Sequence, residues 1–108
     1  MDLVPLDQIP FTSFAEQVGG VFAVALPGGD TMELSLTSVS GPQVSENPGN
    51  GRAYESFSVF FQGPGSQCLG QGMWVMRNHQ LGSFELFIVP IGNEGGRFQY
   101  QAAFNRVR

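Results

Sequence analysis

Residues 31–37 read Thr-Met-Glu-Leu-Ser-Leu-Thr, and in this stretch Met32, Leu34 and Leu36 alternate with Glu33, Ser35 and Thr37. A period of two places the apolar set on one face and the polar set on the other, the pattern of a strand that is half buried. The same period recurs on both sides of it. Upstream, Phe22, Val24 and Leu26 alternate with Val21, Ala23 and Ala25, and Leu-Pro-Gly-Gly-Asp provides a turn. Downstream, Phe57, Val59 and Phe61 alternate with Ser56 and Ser58, and residues 70–77, 84–89 and 97–104 supply three more strands. Residues 40–53 are rich in Gly, Pro, Asn and Ser and read as one long loop.

Six strands in chain order with mostly short turns predict an all-β fold, an antiparallel meander forming a small closed or partly open barrel. Closure would remove the exposed edges of such a sheet. The expected interior is Phe22, Met32, Leu34, Phe57, Val59, Leu86, Tyr100 and Phe104. One helix signal precedes the strands, Thr-Ser-Phe-Ala-Glu-Gln-Val-Gly-Gly, with Ser13 and Glu16 spaced as a capping box and Gly19 and Gly20 as terminators. Residues 1–11 read as an extended arm, because Pro5 and Pro10 oppose a helix while Leu3, Val4, Leu6 and Ile9 are too apolar for a solvated tail. The organisation predicted is an arm over 1–11 and a single β-barrel-like domain over 12–108.

With 108 residues there is room for one core. The single cysteine, Cys68, cannot form an internal disulfide and offers neither a metal framework nor a redox pair. No run approaches the ~18 apolar residues of a membrane span, and the N-terminus lacks the basic residues of a secretory signal. The expectation is a protein that is cytoplasmic as synthesised, whether or not it later enters an exported or extracellular assembly. Residues 1–51 hold six acids and no base, whereas residues 52–108 hold five arginines against three acids, for a net charge of −4. That balance argues against nucleic acid, whose phosphates are neutralised by Lys and Arg.

Chemistry finds little support. His79 is the only histidine, it lies in a polar turn, and no nucleophile elbow accompanies it. Cys68 has no flanking base. Glu33 and Glu85 are the one pair of strand carboxylates to weigh as a glycosidase dyad. Gly63-Pro-Gly-Ser-Gln-Cys-Leu-Gly-Gln-Gly72 has glycines but not the Lys and Ser/Thr of a phosphate loop. The expectation is therefore no enzyme, no catalytic residues, no cofactor and no metal. What stands out is the second face of the strands, where Val21, Ala23, Ala25, Phe60, Met73, Val75, Phe87 and Val89 follow each other in place of the polar residues a solvated exterior carries.

The second half resembles a family of short bacterial all-β domains of unknown function. The resemblance is carried by Phe57-Ser58 with Gly63-Pro64, Gln71-Gly72 with Trp74, Leu81-Gly82, Leu86-Phe87-Ile88-Val89-Pro90 and Phe104-Asn105-Arg106. It runs closely over 56–106 and loosely over 12–108. Trp74 takes a position where the pattern has Tyr, and His79 follows Asn78 where the pattern has His one place earlier, followed by Pro. The resemblance implies a small β-barrel-like domain and no known activity. It also implies an association with phage tail-collar-like proteins.

Two function classes follow. The favoured one is a non-catalytic structural or assembly module, an accessory of a filament or tail-like assembly. Its partners would be itself, a co-encoded protein, which the resemblance implies is tail-collar-like, or both. The interface expected is Leu3, Val4, Leu6 and Ile9 of the arm with Phe60, Phe87 and Val89 of the strands. The alternative is a small-ligand or carbohydrate-binding β-barrel that uses Trp74, Tyr54 or Tyr100 as a stacking platform.

Overall fold

The structure, a computed structural model, describes residues 2–47 and 49–107. Strands β1 (Val21–Ala25), β2 (Thr31–Asn47), β3 (Arg52–Gly63), β4 (Gly72–Asn78), β5 (Gly82–Glu94) and β6 (Arg97–Val107) close into a ring in the order β1-β2-β3-β6-β5-β4. Every ladder is antiparallel. Alternation puts Phe22, Val24, Met32, Leu34, Leu36, Phe57, Val59, Phe61, Met76, Phe84, Leu86, Ile88, Tyr100, Ala102 and Phe104 in the interior. All eight residues expected there are among them.

The ring corrects the expected order at one point. The chain makes two three-stranded meanders, β1-β2-β3 and β4-β5-β6, and between them residues 64–71 cross one end of the barrel. As a result β3 pairs with β6, and β4 closes against β1 through only Ala23↔Arg77 and Val24↔Met76.

The expected loop over 40–53 is also corrected. β2 and β3 continue through it as a long hairpin, Gln43↔Ser56 to Asn47↔Arg52, which turns at residues 49–51. The Gly and Pro that suggested a loop instead form a bulge, where the register shifts between Ser40 and Gln43 around a cis Gly41-Pro42 bond. Pro lacks the N–H that an unbroken ladder requires, and a bulge excuses it. Gly41 has φ +98°, and a Cβ there would lie 2.9 Å from the Ser56 carbonyl oxygen, so two independent constraints call for glycine. β5 likewise runs past Pro90 to Glu94, with a register shift of its own between Pro90 and Gly92.

Each end of the barrel is plugged. At one end lies helix α1 (Phe11–Ala15), whose Phe14 is fully buried and meets the rings of Phe57, Phe84 and Phe104 at 5.4–6.2 Å. The helix begins one turn earlier than its sequence suggested. Pro10 is the N-cap and no side chain caps it, so Ser13 lies inside the helix and makes no capping box. Proline before the first turn presets the chain direction without needing a hydroxyl.

The arm is not extended throughout, because Leu6–Gln8 form a 3-10 turn. It lies against the same end of its own barrel. The Val4 N–H donates to the Ser83 carbonyl (2.7 Å), and Ile9 is buried in the core. At the opposite end the crossing segment 64–71 inserts Leu69, only 1% exposed, and its N–H donates to the Tyr100 hydroxyl at 2.9 Å. Gly65 passes so close to the Gly96 carbonyl that a Cβ would overlap it. Among the described residues, no helix is long and apolar enough to cross a membrane.

Candidate interaction surface

The strand period decides which side chains meet. Glu33 and Glu85 both point outward, but the ladders Glu33↔Ala23, Ala23↔Arg77 and Val75↔Glu85 place β1 and β4 between their strands. Three strand spacings amount to about 14 Å, beyond the reach of either glycosidase geometry. His79 is exposed in the β4–β5 turn beside Ser13, Glu16 and Gln17. Cys68 is exposed at the other end, with its thiol directed at the Leu69 carbonyl oxygen (3.4 Å). Among the described residues no three His, Cys, Asp or Glu side chains gather as a metal site.

The barrel interior is filled by its own side chains and its two plugs, so the concavities lie outside. One is an open groove of about 620 Å³ beside the crossing segment, lined with polar groups that include Glu33, Gln62 and Arg97. Trp74 and Tyr100, expected as stacking platforms, are engaged internally. The Trp74 indole N–H donates to the Gly70 carbonyl (2.9 Å), and the Tyr100 hydroxyl accepts from Leu69. Burial, together with the hydrogen bond to Cys68, pushes the Tyr100 hydroxyl above its ordinary pKa, against the lowering effect of the Leu69 N–H.

The outward face has a different character. On β4 and β5, Met73 and Phe87 are direct cross-strand partners, 57% and 45% exposed. Val89 follows two residues on, and Val75 sits two residues from Met73 on the same face. On the next strand Val21 is exposed, and Ala23, Ala25 and Val75 line a small apolar groove of about 120 Å³ over the short β1–β4 seam. Arg77 and Glu85 border the patch with opposite charges. Directly opposed apolar pairs stabilise a sheet when covered, and here their outer surfaces face solvent.

Of the expected interface, Phe87 and Val89 share one strand face, and Phe60 lies two strands away on the same outer surface. The rows Val89↔Gln101 and Phe60↔Gln101 place only Gln101 between them. The arm residues lie elsewhere. Ile9 is buried within its own chain, Val4 and Leu6 pack partly against the core, and Leu3 remains 39% exposed. In this position the arm spends its apolar side chains on its own barrel. Met73 belongs to the patch although the expected interface omitted it, whereas Val21 is exposed on the same outer surface about 20 Å further along the strands, beyond Arg77. The strand period had already put both on the outer face, and the ladder register supplies what sequence lacks, namely who stands beside whom.

A ring of six antiparallel strands, plugged at both ends by its own chain and apolar on part of its outside, is a small closed β-barrel domain. Residues 9–104 match the model of the family described as Domain of unknown function (DUF6916), and the chain belongs to that family. No curated protein and no solved structure matches it.

Proposed function

We propose that this protein is a non-catalytic assembly module that docks through the outward face of β1, β4 and β5. The observation that supports this most is the Met73–Phe87 pair, two large apolar side chains directly opposed and both about half exposed. With Val75 and Val89 beside them, and Ala25 across the β1–β4 seam, they form an apolar patch of the kind that marks interaction surfaces, bordered by Glu85. A finer form of the proposal makes the protein an accessory of a filament or tail-like assembly, whose partner is a second copy or a co-encoded tail-collar-like protein. That form draws on the family resemblance alone.

The test replaces Phe87 with Glu and follows mass in solution by light scattering, with circular dichroism to confirm the fold. Loss of self-association or of a co-purifying partner by a folded variant supports the proposal. A wild type that binds neither itself nor any co-encoded protein removes it and leaves a ligand in the polar groove beside Arg97 as the better reading.

A further inference from the structure

The hairpin that replaces the expected loop leaves a strand edge open. β1 follows β2 only to Ser35, and Gly19 and Gly20 extend that pairing by one residue, to Leu36. Beyond it, among the described residues, nothing hydrogen-bonds residues 38–47 on the side away from β3. On the opposite edge of this three-stranded tongue β6 also runs past its last β5 partner at Gln101, and there the Arg106 side chain holds the arm against the inner face. An open edge presents unpaired N–H and C=O groups, and the chemistry that satisfies them is another strand.

We infer that this edge pairs antiparallel with the same edge of a second copy, about a two-fold axis at Val44. The register is limited on both sides, by the Ser40/Gln43 bulge and by the turn at 49–51. Centring on Val44 opposes Val44 to itself, Gln43 to Ser45 and Pro42 to Glu46. The exposed valine, half open to solvent in the single chain, gains an apolar partner, and no like charges stand opposite each other. Moving the centre to Ser45 would instead set Glu46 against Val44. Pairing through one patch on both copies is isologous and closes as a dimer. It joins the two tongues into one six-stranded sheet, β6-β3-β2-β2-β3-β6. This contact is separate from the outer face of β1, β4 and β5, so the two can succeed or fail independently.

Directly opposed residues of an antiparallel pair lie within disulfide range. The experiment therefore uses Cys68→Ser with Val44→Cys, at a position exposed enough to leave the fold intact, under mild oxidation with oxidised glutathione. Cys68→Ser with Gln43→Cys, whose expected partner is Ser45 and not itself, is the control. The Val44→Cys chain should become a covalent dimer about tenfold faster than the control. A mixture of Gln43→Cys and Ser45→Cys chains should cross-link to each other faster than either does alone. The same rates should hold in a Phe87→Glu background, which removes the outer-face contact and leaves the tongue. Equal rates for Val44→Cys and Gln43→Cys, or no dimer in any variant, overturn the inference. Cross-linking that disappears only with Phe87→Glu also overturns it, because the tongue would then be brought together by the other face.

Discussion

The guanidinium carbon of Arg106 sits 5.0 Å from the centre of the Phe57 ring, and through Nη1 and Nη2 the same group donates to the carbonyl oxygens of Ile9 (2.6 Å) and Leu6 (2.8 Å). One side chain thus joins the arm to the aromatic end of the barrel, where Phe57 and Phe104 stack at 4.5 Å. Burial lowers the guanidinium pKa while Glu55 and Asp7 oppose that shift, and the group stays cationic throughout the working range of pH. The planar fork matters as much as the charge, since a lysine cannot reach two carbonyls and lie over a ring together. Arg106→Lys should therefore recover little of what Arg106→Ala loses. Both should lower the melting temperature by several degrees, about 1–2 kcal/mol for a partly exposed group. Limited proteolysis should release the arm of either variant earlier than that of the wild type.

Tyr100 carries the other plug. Its folded-state pKa is raised, so the folded protein holds that proton more tightly than the unfolded chain does. Stability from this group is fully present below the unfolded value of about 10 and is lost as pH rises through the higher folded value. Denaturant midpoints measured across that alkaline window should fall more steeply for the wild type than for Tyr100→Phe. At neutral pH the Phe variant should itself be less stable by about 1–3 kcal/mol, because the buried Leu69 N–H loses its acceptor.

Among the described residues, Asn78 is the one buried polar side chain, 2% exposed. Its amide donates to the Val21 carbonyl (3.1 Å) and to Gln17 (3.2 Å), and its oxygen accepts from the N–H groups of Gln80 and Leu81. It therefore shapes the β4–β5 turn and ties that turn to β1 near the weakly paired β1–β4 seam. Asn78→Ala strands several groups at once and should cost about 2–3 kcal/mol. Gln17→Ala removes one contact and should cost clearly less. Urea titration of the two variants side by side measures the ranking.

Residue patterns carried some of these relationships and were silent on others. The period of two in 31–37 and its repeats gave both faces of the strands, because burial acts on each residue through its own alternation. The partner of β3 depends on where residues 64–71 cross, and nothing in their Gly-rich composition specifies that path. Leu69 was the available hint, one aliphatic residue in a polar stretch. Residues 40–53 misled because their turn residues are real, but they build a bulge and a hairpin tip and leave the ladder between them intact. In the arm, apolar composition correctly required cover, yet the donor that secures it, Arg106, lies at the far end of the chain.

His79 and Cys68 are the two side chains most capable of chemistry, and they sit at opposite ends of the barrel, both exposed. His79 shares a surface recess with Ser13 and Glu16, and among the described residues no hydrogen bond joins it to either. The double variant His79→Gln, Cys68→Ser should fold with a melting temperature within a few degrees of the wild type and keep its association behaviour. Loss of association or of any measurable turnover in that folded variant would contradict the non-catalytic reading.

Phe57 and Phe87 present the same side chain to opposite sides of the sheet, and substituting each separates folding from docking. Phe57 is 4% exposed, stacked on Phe104 and in contact with Phe11 and Phe14. Removing its ring empties the most aromatic part of the core, so Phe57→Ala should cost about 3–5 kcal/mol. It should also loosen the arm, because Arg106 loses the surface it lies on. Phe87 stands on the outer face, directly across from Met73 and 45% exposed. Phe87→Ala forfeits part of a cross-strand pair and should change stability by less than about 1 kcal/mol. If the outer face docks a partner, the order reverses in a binding measurement: Phe87→Ala weakens association in a fully folded protein. Phe57→Ala weakens it only in proportion to the fraction unfolded. Denaturation and association curves of both variants, measured at one temperature and concentration, give the two orders together. A Phe87→Ala variant as unstable as Phe57→Ala would mean that the outer ring is part of the core and not a surface held ready for a partner.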